Sequence, residues 1–215
     1  MLPKRLYRFF DKHEYAEAFM AGRVRFGTLQ SYKEEYEDKE RGDRTEGMGD
    51  LQVSGEALIV NVARGMSRTV PGIENLAVRA DPRNHFIACF MACDEDDLPV
   101  RAKEFGEHCV AIEDPAALID DLRKALQNDA FLAVNPPALE WGEVRYDKGA
   151  QVAKQFTRDE KLILAWIQKP EAYAHQKEFR IHFNFTSHEL IGSPSHHTLS
   201  IGKVLPYCKL RAFGS

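Results

Sequence analysis

The stretch from Tyr173 to Phe183 constrains the fold of this chain more than any other part of the sequence. Polar and apolar residues alternate there in the order Glu178, Phe179, Arg180, Ile181, His182 and Phe183. Successive side chains of a strand point to opposite faces, so this period of two residues predicts a strand with one apolar face. Carboxylates are depleted in strands and are costly to bury unpaired. We therefore expect Glu178 to face either water or a partner that uses its charge.

Length and composition predict an ordinary soluble globular protein. The 215 residues are 44% hydrophobic, enough for a full core, and we expect one domain spanning residues 1–215. No apolar run approaches the roughly 20 residues of a membrane span, and the basic start of the chain is not followed by an apolar signal region. We expect a cytoplasmic protein without a membrane partner. The formal net charge of −4 provides no global positive field for nucleic acid.

The four cysteines predict reduced thiols and no metal site. They form no Cys-x-x-Cys pair and have no secretory context. Cys89 and Cys93 lie in an apolar run typical of a buried strand, where free cysteine packs as a small hydrophobe. The ligand spacings of a tetrahedral zinc site are absent.

Short strands and helices follow one another along the chain. Asp11 is a good N-cap for the first helix, and Asp114 with Pro115 opens the clearest helix in the sequence. The expected strands cover residues 5–10, 23–26, 58–62, 85–93, 107–112, 141–146, 178–183, 189–191 and 198–205. The expected helices cover residues 12–22, 31–39, 115–126 and 159–168. Strands outnumber helices, so we predict an α+β fold with antiparallel or mixed sheets and a few helices.

Residues 37–50 predict a charged, mobile loop, because this segment has many charges and almost no aliphatic side chains. It is either a solvated connection or a ligand-binding loop, since its three glycines let the backbone approach a ligand closely. The candidate ligand-binding residues of this loop are Arg41, Asp43, Arg44 and Glu46.

Several catalytic motifs are missing from the sequence. It contains no Gly-x-x-x-x-Gly-Lys-Ser/Thr phosphate loop, no Gly-x-Gly-x-x-Gly fingerprint, no His-Glu-x-x-His zinc helix and no Gly-x-Ser-x-Gly elbow. The common nucleotide folds and serine hydrolases are thus disfavoured. What remains is Gln176-x-Glu178 at a strand entry, together with Tyr7 and Arg8 on the N-terminal strand.

Three short segments carry a family resemblance: Leu-Tyr-Arg-Phe-Phe ending at Phe10, Ala-Gly-Arg-Val-Arg-Phe-Gly ending at Gly27, and Gln-Lys-Glu-Phe-Arg-Ile ending at Ile181. Their arrangement resembles the ADP-ribosyltransferase superfamily, in particular its DarT-like bacterial toxin branch and a related uncharacterised bacterial family. The resemblance extends over most of the chain, but each motif is short. The chain also differs from the family's His-Tyr-Glu pattern, because Arg8 occupies the first position and Phe26 lies near the second.

The resemblance implies an ADP-ribosyltransferase-like fold and an NAD-dependent mono-ADP-ribosyltransferase, a bacterial or phage-related toxin or defence effector that modifies a macromolecule. NAD would be the substrate, the acceptor a protein or a nucleic acid, and the partner an antitoxin or immunity protein. Glu178 would stabilise the oxocarbenium-like transition state, and Gln176 would touch the acceptor. The residues implied to bind NAD are Tyr7, Arg8, Phe26, Tyr32, Arg41, Asp43, Arg44 and Glu46.

Other interpretations stay open from the sequence. A catalytically inactive module of the same fold would bind nucleotides or nucleic acid, as the absent histidine and Phe26 suggest. A nucleic-acid end-processing enzyme would use four arginines as phosphate contacts, namely Arg5, Arg8, Arg23 and Arg25. Alternatively, Glu178 forms a cross-strand ion pair with Arg180 or Arg25 on an outer face. A catalytic role requires Glu178 and Arg8 to face the same cleft.

Overall fold

The described part of the chain combines one large antiparallel sheet with four α-helices. The computed structural model describes residues 2–35, 48–51, 57–61, 66–71, 76–79, 83–130, 132, 137–146, 166–184 and 195–211. The α-helices are α1 (His13–Met20), α2 (Leu29–Glu35), α3 (Leu98–Phe105) and α4 (Pro115–Asn128), and short 3-10 helices span Glu95–Asp97 and Glu171–Gln176. The predicted α+β class, with antiparallel sheets and a few helices in one domain, is confirmed.

Twelve strands are described, and eight of them form the large sheet. Those eight are β1 (Leu6–Phe10), β2 (Arg23–Thr28), β7 (His85–Met91), β8 (His108–Ile112), β9 (Leu139–Glu143), β10 (Glu178–Asn184), β11 (His196–Ser200) and β12 (Cys208–Arg211). The other four are β3 (Met48–Leu51), β4 (Ala57–Asn61), β5 (Met66–Val70) and β6 (Leu76–Arg79). β3 pairs with β6 and β4 pairs with β5, each as a two-stranded antiparallel sheet.

β7 is the strand around which the large sheet branches. Along one edge it pairs with β10 over its whole length. Its other edge is shared, because β2 pairs with it at Phe86 and Ile87 whereas β1 pairs with it at Met91. Of the described strands, none pairs with this edge between those two points. We call this opening the fork: β2 and β11 form one arm, and β1, β8 and β12 form the other.

Alternation along β10 separates an apolar face from a polar one. Phe179, Ile181 and Phe183 point into the main core, where they meet Phe86 and Phe90 of β7. The helices α1 and α4 cover this face with their own buried side chains, which include Ala16, Phe19, Leu118, Ile119, Leu122 and Leu126. Burying a phenylalanine side chain contributes about 1.5–3 kcal/mol, so this layer anchors β10 firmly. The strand predicted from the alternation is confirmed at Glu178–Asn184.

The helix predicted from Asp114 and Pro115 is also confirmed. The Asp114 side chain accepts a hydrogen bond from the backbone N–H of Ala117 at 3.0 Å, and Pro115 occupies the first turn. This cap satisfies one of the N–H groups that a helix start leaves without an intrahelical partner. None of the helices in the described ranges is long and apolar enough to cross a membrane.

Several predicted boundaries differ from the structure. Gly27 does not end β2, because it pairs with both His196 and Ile87 and the strand continues to Thr28. The segment before Glu178 is a 3-10 helix rather than a strand. β3 begins at Met48, inside the end of the predicted loop, and α3 and β12 were not expected. The strand expected at residues 189–191 lies outside the described residues, as do residues 159–165 of the expected helix.

Gly106, at the end of α3, gives a direct test of how tightly α3 packs on β1. Its φ is +124°, and a Cβ there would lie 2.5 Å from the backbone carbon and oxygen of Phe10. We expect Gly106→Ala to lower the free energy of unfolding by about 2–4 kcal/mol, from strain and overpacking together. Urea denaturation measures this loss.

Gly202→Ala is the matched control for Gly106→Ala. Gly202 also has a positive φ, +73°, but no atom lies within 4 Å of a Cβ placed there. Alanine at position 202 therefore meets no steric contact, and the expected loss of stability is only the cost of about 1–2 kcal/mol for a non-glycine residue with positive φ. Equal losses for the two variants would contradict the close approach of α3 to β1.

Candidate functional site

A cavity of about 510 Å³ opens at the fork. Five residues predicted for the site contribute to its wall: Tyr7, Arg8, Tyr32, Gln176 and Glu178. They come from β1, α2 and the entry of β10, segments that lie far apart in the sequence. Arg8 and Glu178 therefore face the same cavity, which is the geometry that a catalytic role for Glu178 requires.

Glu178 is held in the cavity wall by two cations. Its Oε1 accepts a hydrogen bond from Arg180 Nε at 2.7 Å, and its Oε2 lies 2.8 Å from Lys169 Nζ and 3.2 Å from Arg180 Nη2. The backbone N–H of Glu178 donates to the hydroxyl oxygen of Tyr146 at 2.7 Å. We call Glu178, Arg180 and Lys169 the carboxylate cluster; all three are buried, with Glu178 only 6% exposed.

The carboxylate cluster keeps Glu178 ionised. Burial acts to raise the pKa of Glu178, but the charges of Arg180 and Lys169 outweigh it and hold that pKa well below its usual range. Burial, reinforced by the charge of Glu178, raises the pKa of Cys89 to about 12. Burial and the same charge also raise the pKa of the Tyr146 hydroxyl. At neutral pH, Glu178 is therefore an anion among protonated neighbours.

A left-handed turn separates Gln176 from Glu178. Lys177 has φ 43° and ψ 45°, a conformation that costs a non-glycine residue about 1–2 kcal/mol. On the inner side of this turn, Gln176 Oε1 accepts a hydrogen bond from Lys169 Nζ at 3.0 Å. On the outer side, Lys177 Nζ lies 3.0 Å from Asp97 Oδ2. Gln176 and Glu178 thus share Lys169 as a partner, although the chain between them is not a regular strand.

Arg8 spans the fork from β1 to β2. Its Nη2 donates to the backbone oxygen of Arg25 at 2.8 Å. Its guanidinium carbon lies 5.6, 5.3 and 5.2 Å from the ring centroids of Phe10, Phe19 and Phe90. Such cation–π contacts contribute about 0.5–2 kcal/mol, and they fix the plane of the guanidinium group.

Among the described residues, the charged lining of the cavity is predominantly positive. Two carboxylates from that part of the chain contribute to it, Asp11 and Glu178. The cationic residues of the wall are Arg8, Arg23, Arg25, Lys169 and Arg180. A concave site with this balance attracts anions, and arginine forms charge-assisted, often bidentate hydrogen bonds with phosphate. The electrostatics therefore favour a phosphorylated ligand.

A pair of stacked histidines lies behind the carboxylate cluster. His182 shares the polar face of β10 with Glu178 and Arg180, and its ring stacks on Trp166 with centroids 4.5 Å apart. His182 Nε2 lies 2.8 Å from His85 Nδ1, and its Nδ1 lies 3.0 Å from Glu140 Oε2. Burial lowers the pKa of His182 despite the neighbouring carboxylate. The backbone oxygen of Trp166 accepts a hydrogen bond from Arg180 Nη1, so this layer also supports the cluster.

Phe26, predicted to bind NAD, belongs to the core instead. It is fully buried, and its ring centroid lies 5.1 Å from that of Phe183. The reason is the alternation along β2, which turns Arg25 and Gly27 toward the cavity and Phe26 away from it. The four loop candidates lie outside the described residues: Arg41, Asp43, Arg44 and Glu46.

The arginines proposed as phosphate contacts are also divided. Arg8, Arg23 and Arg25 line the cavity, whereas Arg5 forms ion pairs with Glu95 and Glu113. The ion pair between Glu178 and Arg180 is present, but in the cavity wall rather than on an outer face. Lys169 and Tyr146 were missed, because neither lies in a recognisable motif.

Comparison with known proteins identifies no relative. No protein-family model matches the chain, and searches of curated proteins and of solved structures found no significant match. Within the described ranges, no group of three or more His, Cys, Asp or Glu side chains is placed to hold a metal ion. The cavity and the carboxylate cluster are therefore the features of the molecule that bear on its function.

The low pKa of Glu178 predicts a specific pH dependence of stability. The pKa of Glu178 is lower in the folded than in the unfolded chain. Ionised Glu178 therefore stabilises the folded state fully above about pH 5, and this stabilisation is lost as the pH falls through about 4 toward the pKa of the folded state. Glu178→Gln removes this component. Below about pH 4, the free energy of unfolding should fall more steeply in the wild type than in the variant, by up to about 1.4 kcal/mol per pH unit.

Urea denaturation of both proteins between pH 6 and pH 3 measures the two slopes. The variant should be less stable at pH 6, because the buried Arg180 and Lys169 then lack their carboxylate partner. The two proteins are therefore compared by how the free energy of unfolding changes with pH, not by its absolute value. Parallel curves would contradict an ionised, paired Glu178.

Proposed function

We propose that this protein is an NAD-dependent mono-ADP-ribosyltransferase with an ADP-ribosyltransferase-like fold, acting on a macromolecule as a bacterial or phage-related toxin or defence effector. The proposal is based on one observation: Glu178 is ionised and lies in the wall of a cavity that Arg8 and Gln176 also line. The resemblance of the segments around these three residues to that superfamily agrees with this placement.

Three features of the cavity support the proposal that it binds NAD: its volume, its charge and its aromatic lining. Its volume of about 510 Å³ lies within the roughly 300–1,000 Å³ of small-molecule sites. Arg8 and Arg25 offer positive charge to a pyrophosphate, and the partly buried ring of Tyr32 offers a face for nicotinamide or adenine. Tyr7 lines the cavity but is only 2% exposed, so it shapes the wall rather than offering an open ring face.

Glu178 would act by electrostatic stabilisation. Transfer breaks the bond between the nicotinamide nitrogen and ribose C1, nicotinamide leaves as a neutral base, and an acceptor nitrogen or oxygen bonds to C1 and releases its proton. Positive charge develops on the ribose as the bond breaks, and an ionised, already oriented carboxylate stabilises it without reorganisation. Arg180 and Lys169 oppose that charge, so Glu178 has to lie closer to the ribose than either cation does.

Gln176 would act on the acceptor side of the reaction. It is buried beside Glu178 and contributes to the same wall. Its amide oxygen faces Lys169, so its amide nitrogen points away from that lysine. A side-chain amide placed there would orient the attacking atom of a macromolecular acceptor.

A second function is favoured by the carboxylate cluster itself. Both oxygens of Glu178 already accept hydrogen bonds from cations, and the cavity lining is positive in sum. These features suit a module that binds an anionic nucleotide or nucleic acid without turnover. Such a module would keep the fold and the cavity but not the transferase chemistry.

Glu178→Gln tests the transferase proposal. Incubation with labelled NAD, together with cell lysate or DNA as acceptor, should show transfer by the wild type and a loss of about 100-fold or more in the variant. Glu171→Gln, an exposed change on the 3-10 helix that precedes β10, is the matched control and should retain transfer. Undiminished transfer by folded Glu178→Gln would exclude the catalytic assignment.

Calorimetry separates the transferase from the binding module. The Arg8→Gln variant should bind both NAD and ADP-ribose about tenfold more weakly than the wild type, because a charge-assisted contact of about 1.5 kcal/mol is lost. The binding module predicts affinity for NAD, ADP-ribose or single-stranded DNA without nicotinamide release. Nicotinamide release at an enzyme-like rate would eliminate the module, and equal affinities in both proteins would remove Arg8 from the site.

A further inference from the structure

We infer that Lys169 is a positioning residue that holds Gln176 and Glu178 in one fixed arrangement for the transfer reaction. This inference rests on the proposed function. It assigns a role to a residue that lies outside the Gln176-x-Glu178 motif and comes from the segment preceding the 3-10 helix.

Lys169 is fixed at both ends of its side chain. Its backbone N–H donates to the backbone oxygen of Arg145 at 2.9 Å. Its Nζ lies 2.8 Å from Glu178 Oε2, 3.0 Å from Gln176 Oε1 and 5.4 Å from the ring centroid of Tyr173. The residue is 4% exposed and lines the cavity. A long side chain with its ammonium group held this way acts as a rigid link between the two residues of the motif.

The local backbone explains why such a link is needed. In a regular strand, residues two apart point to the same face, and the strand itself would align Gln176 with Glu178. Here the left-handed Lys177 interrupts the strand, so regular strand geometry does not align the two side chains. An ammonium group can only donate hydrogen bonds, so Lys169 draws an oxygen from each side chain to the same point. The two oxygens are thereby held within hydrogen-bond distance of the same nitrogen.

Charge balance does not account for Lys169. Arg180 already neutralises Glu178 through two hydrogen bonds, from Nε at 2.7 Å and from Nη2 at 3.2 Å. A second buried cation adds a desolvation cost, and it opposes the positive charge that develops on the ribose. Lys169 also links the two residues of the motif, because its ammonium group contacts both Gln176 and Glu178.

Two substitutions separate orientation from charge. Lys169→Met removes both hydrogen bonds and the charge, and Lys169→Gln keeps an uncharged N–H donor group on a side chain that is one bond shorter. Lys177→Met is the matched control: the same substitution next to Glu178, at an exposed lysine that pairs with Asp97. Circular dichroism establishes that each variant is folded before kinetics are compared.

The kinetic readout is the rate of nicotinamide release at varied NAD concentration. We expect kcat to fall by about 10- to 100-fold in Lys169→Met with KM changed by less than about threefold, because misplacement affects the transition state more than binding. Lys169→Gln should recover part of the lost kcat, and Lys177→Met should match the wild type. An unchanged kcat in both Lys169 variants would overturn the inference, as would an equal loss in Lys177→Met.

A second readout does not depend on NAD. Carbon-13 NMR of the Glu178 carboxyl, followed through an acid titration, should show proton uptake at a higher pH in Lys169→Met than in the wild type. If the wild type releases no nicotinamide, the proposed function fails, and this titration alone decides whether Lys169 holds Glu178. An unmoved titration would overturn the inference even where Lys169→Met fails to give kinetic data.

Discussion

The cavity depends on the way in which strands share one edge of β7. Each residue of an edge can pair with only one neighbouring strand, and here β2 takes one end of that edge while β1 takes the other. The two strands then diverge, and of the described strands only β10 accompanies β7 past the gap. A wedge between diverging strands is concave by construction, and side chains from both arms enter it. Arg8 ties the arms together through the backbone oxygen of Arg25.

The carboxylate cluster turns this wedge into a site with defined chemistry. A carboxylate on the polar face of β10 would be costly to bury alone, and its desolvation would favour the neutral acid. Arg180 and Lys169 reverse that preference and leave an ionised Glu178 in a lining that is otherwise mostly positive. One arrangement would thus serve two needs of the proposed transferase: cations for phosphates, and one oriented anion for a centre that becomes positive. The same cations compete with the positively charged ribose for Glu178. The distance between Glu178 and the ribose would therefore decide whether the carboxylate stabilises the transition state.

Local patterns in the sequence predicted the elements that carry most of the site, and nonlocal pairing explains what they missed. The alternation from Glu178 to Phe183 located β10 and its apolar face, and the Asp114 cap located the start of α4. The fork could not be predicted, because it depends on which strands pair with β7 across long separations. Lys169 lies before Pro170 without any periodic pattern, so nothing local connects it with Glu178. Phe26 was placed in the site by resemblance, although its alternation with Arg25 already indicated opposite faces.

A crystal structure with a non-hydrolysable NAD analogue tests the account most directly, because it locates each part of the ligand relative to the fork. We expect the pyrophosphate beside Arg8 and Arg25, and the ribose carbon that bears nicotinamide within about 3.5 Å of a Glu178 oxygen, closer than to Lys169 or Arg180. Two results would contradict the proposed transferase. The analogue could bind outside the fork, or it could bind within the fork with Lys169 or Arg180 between the ribose and Glu178.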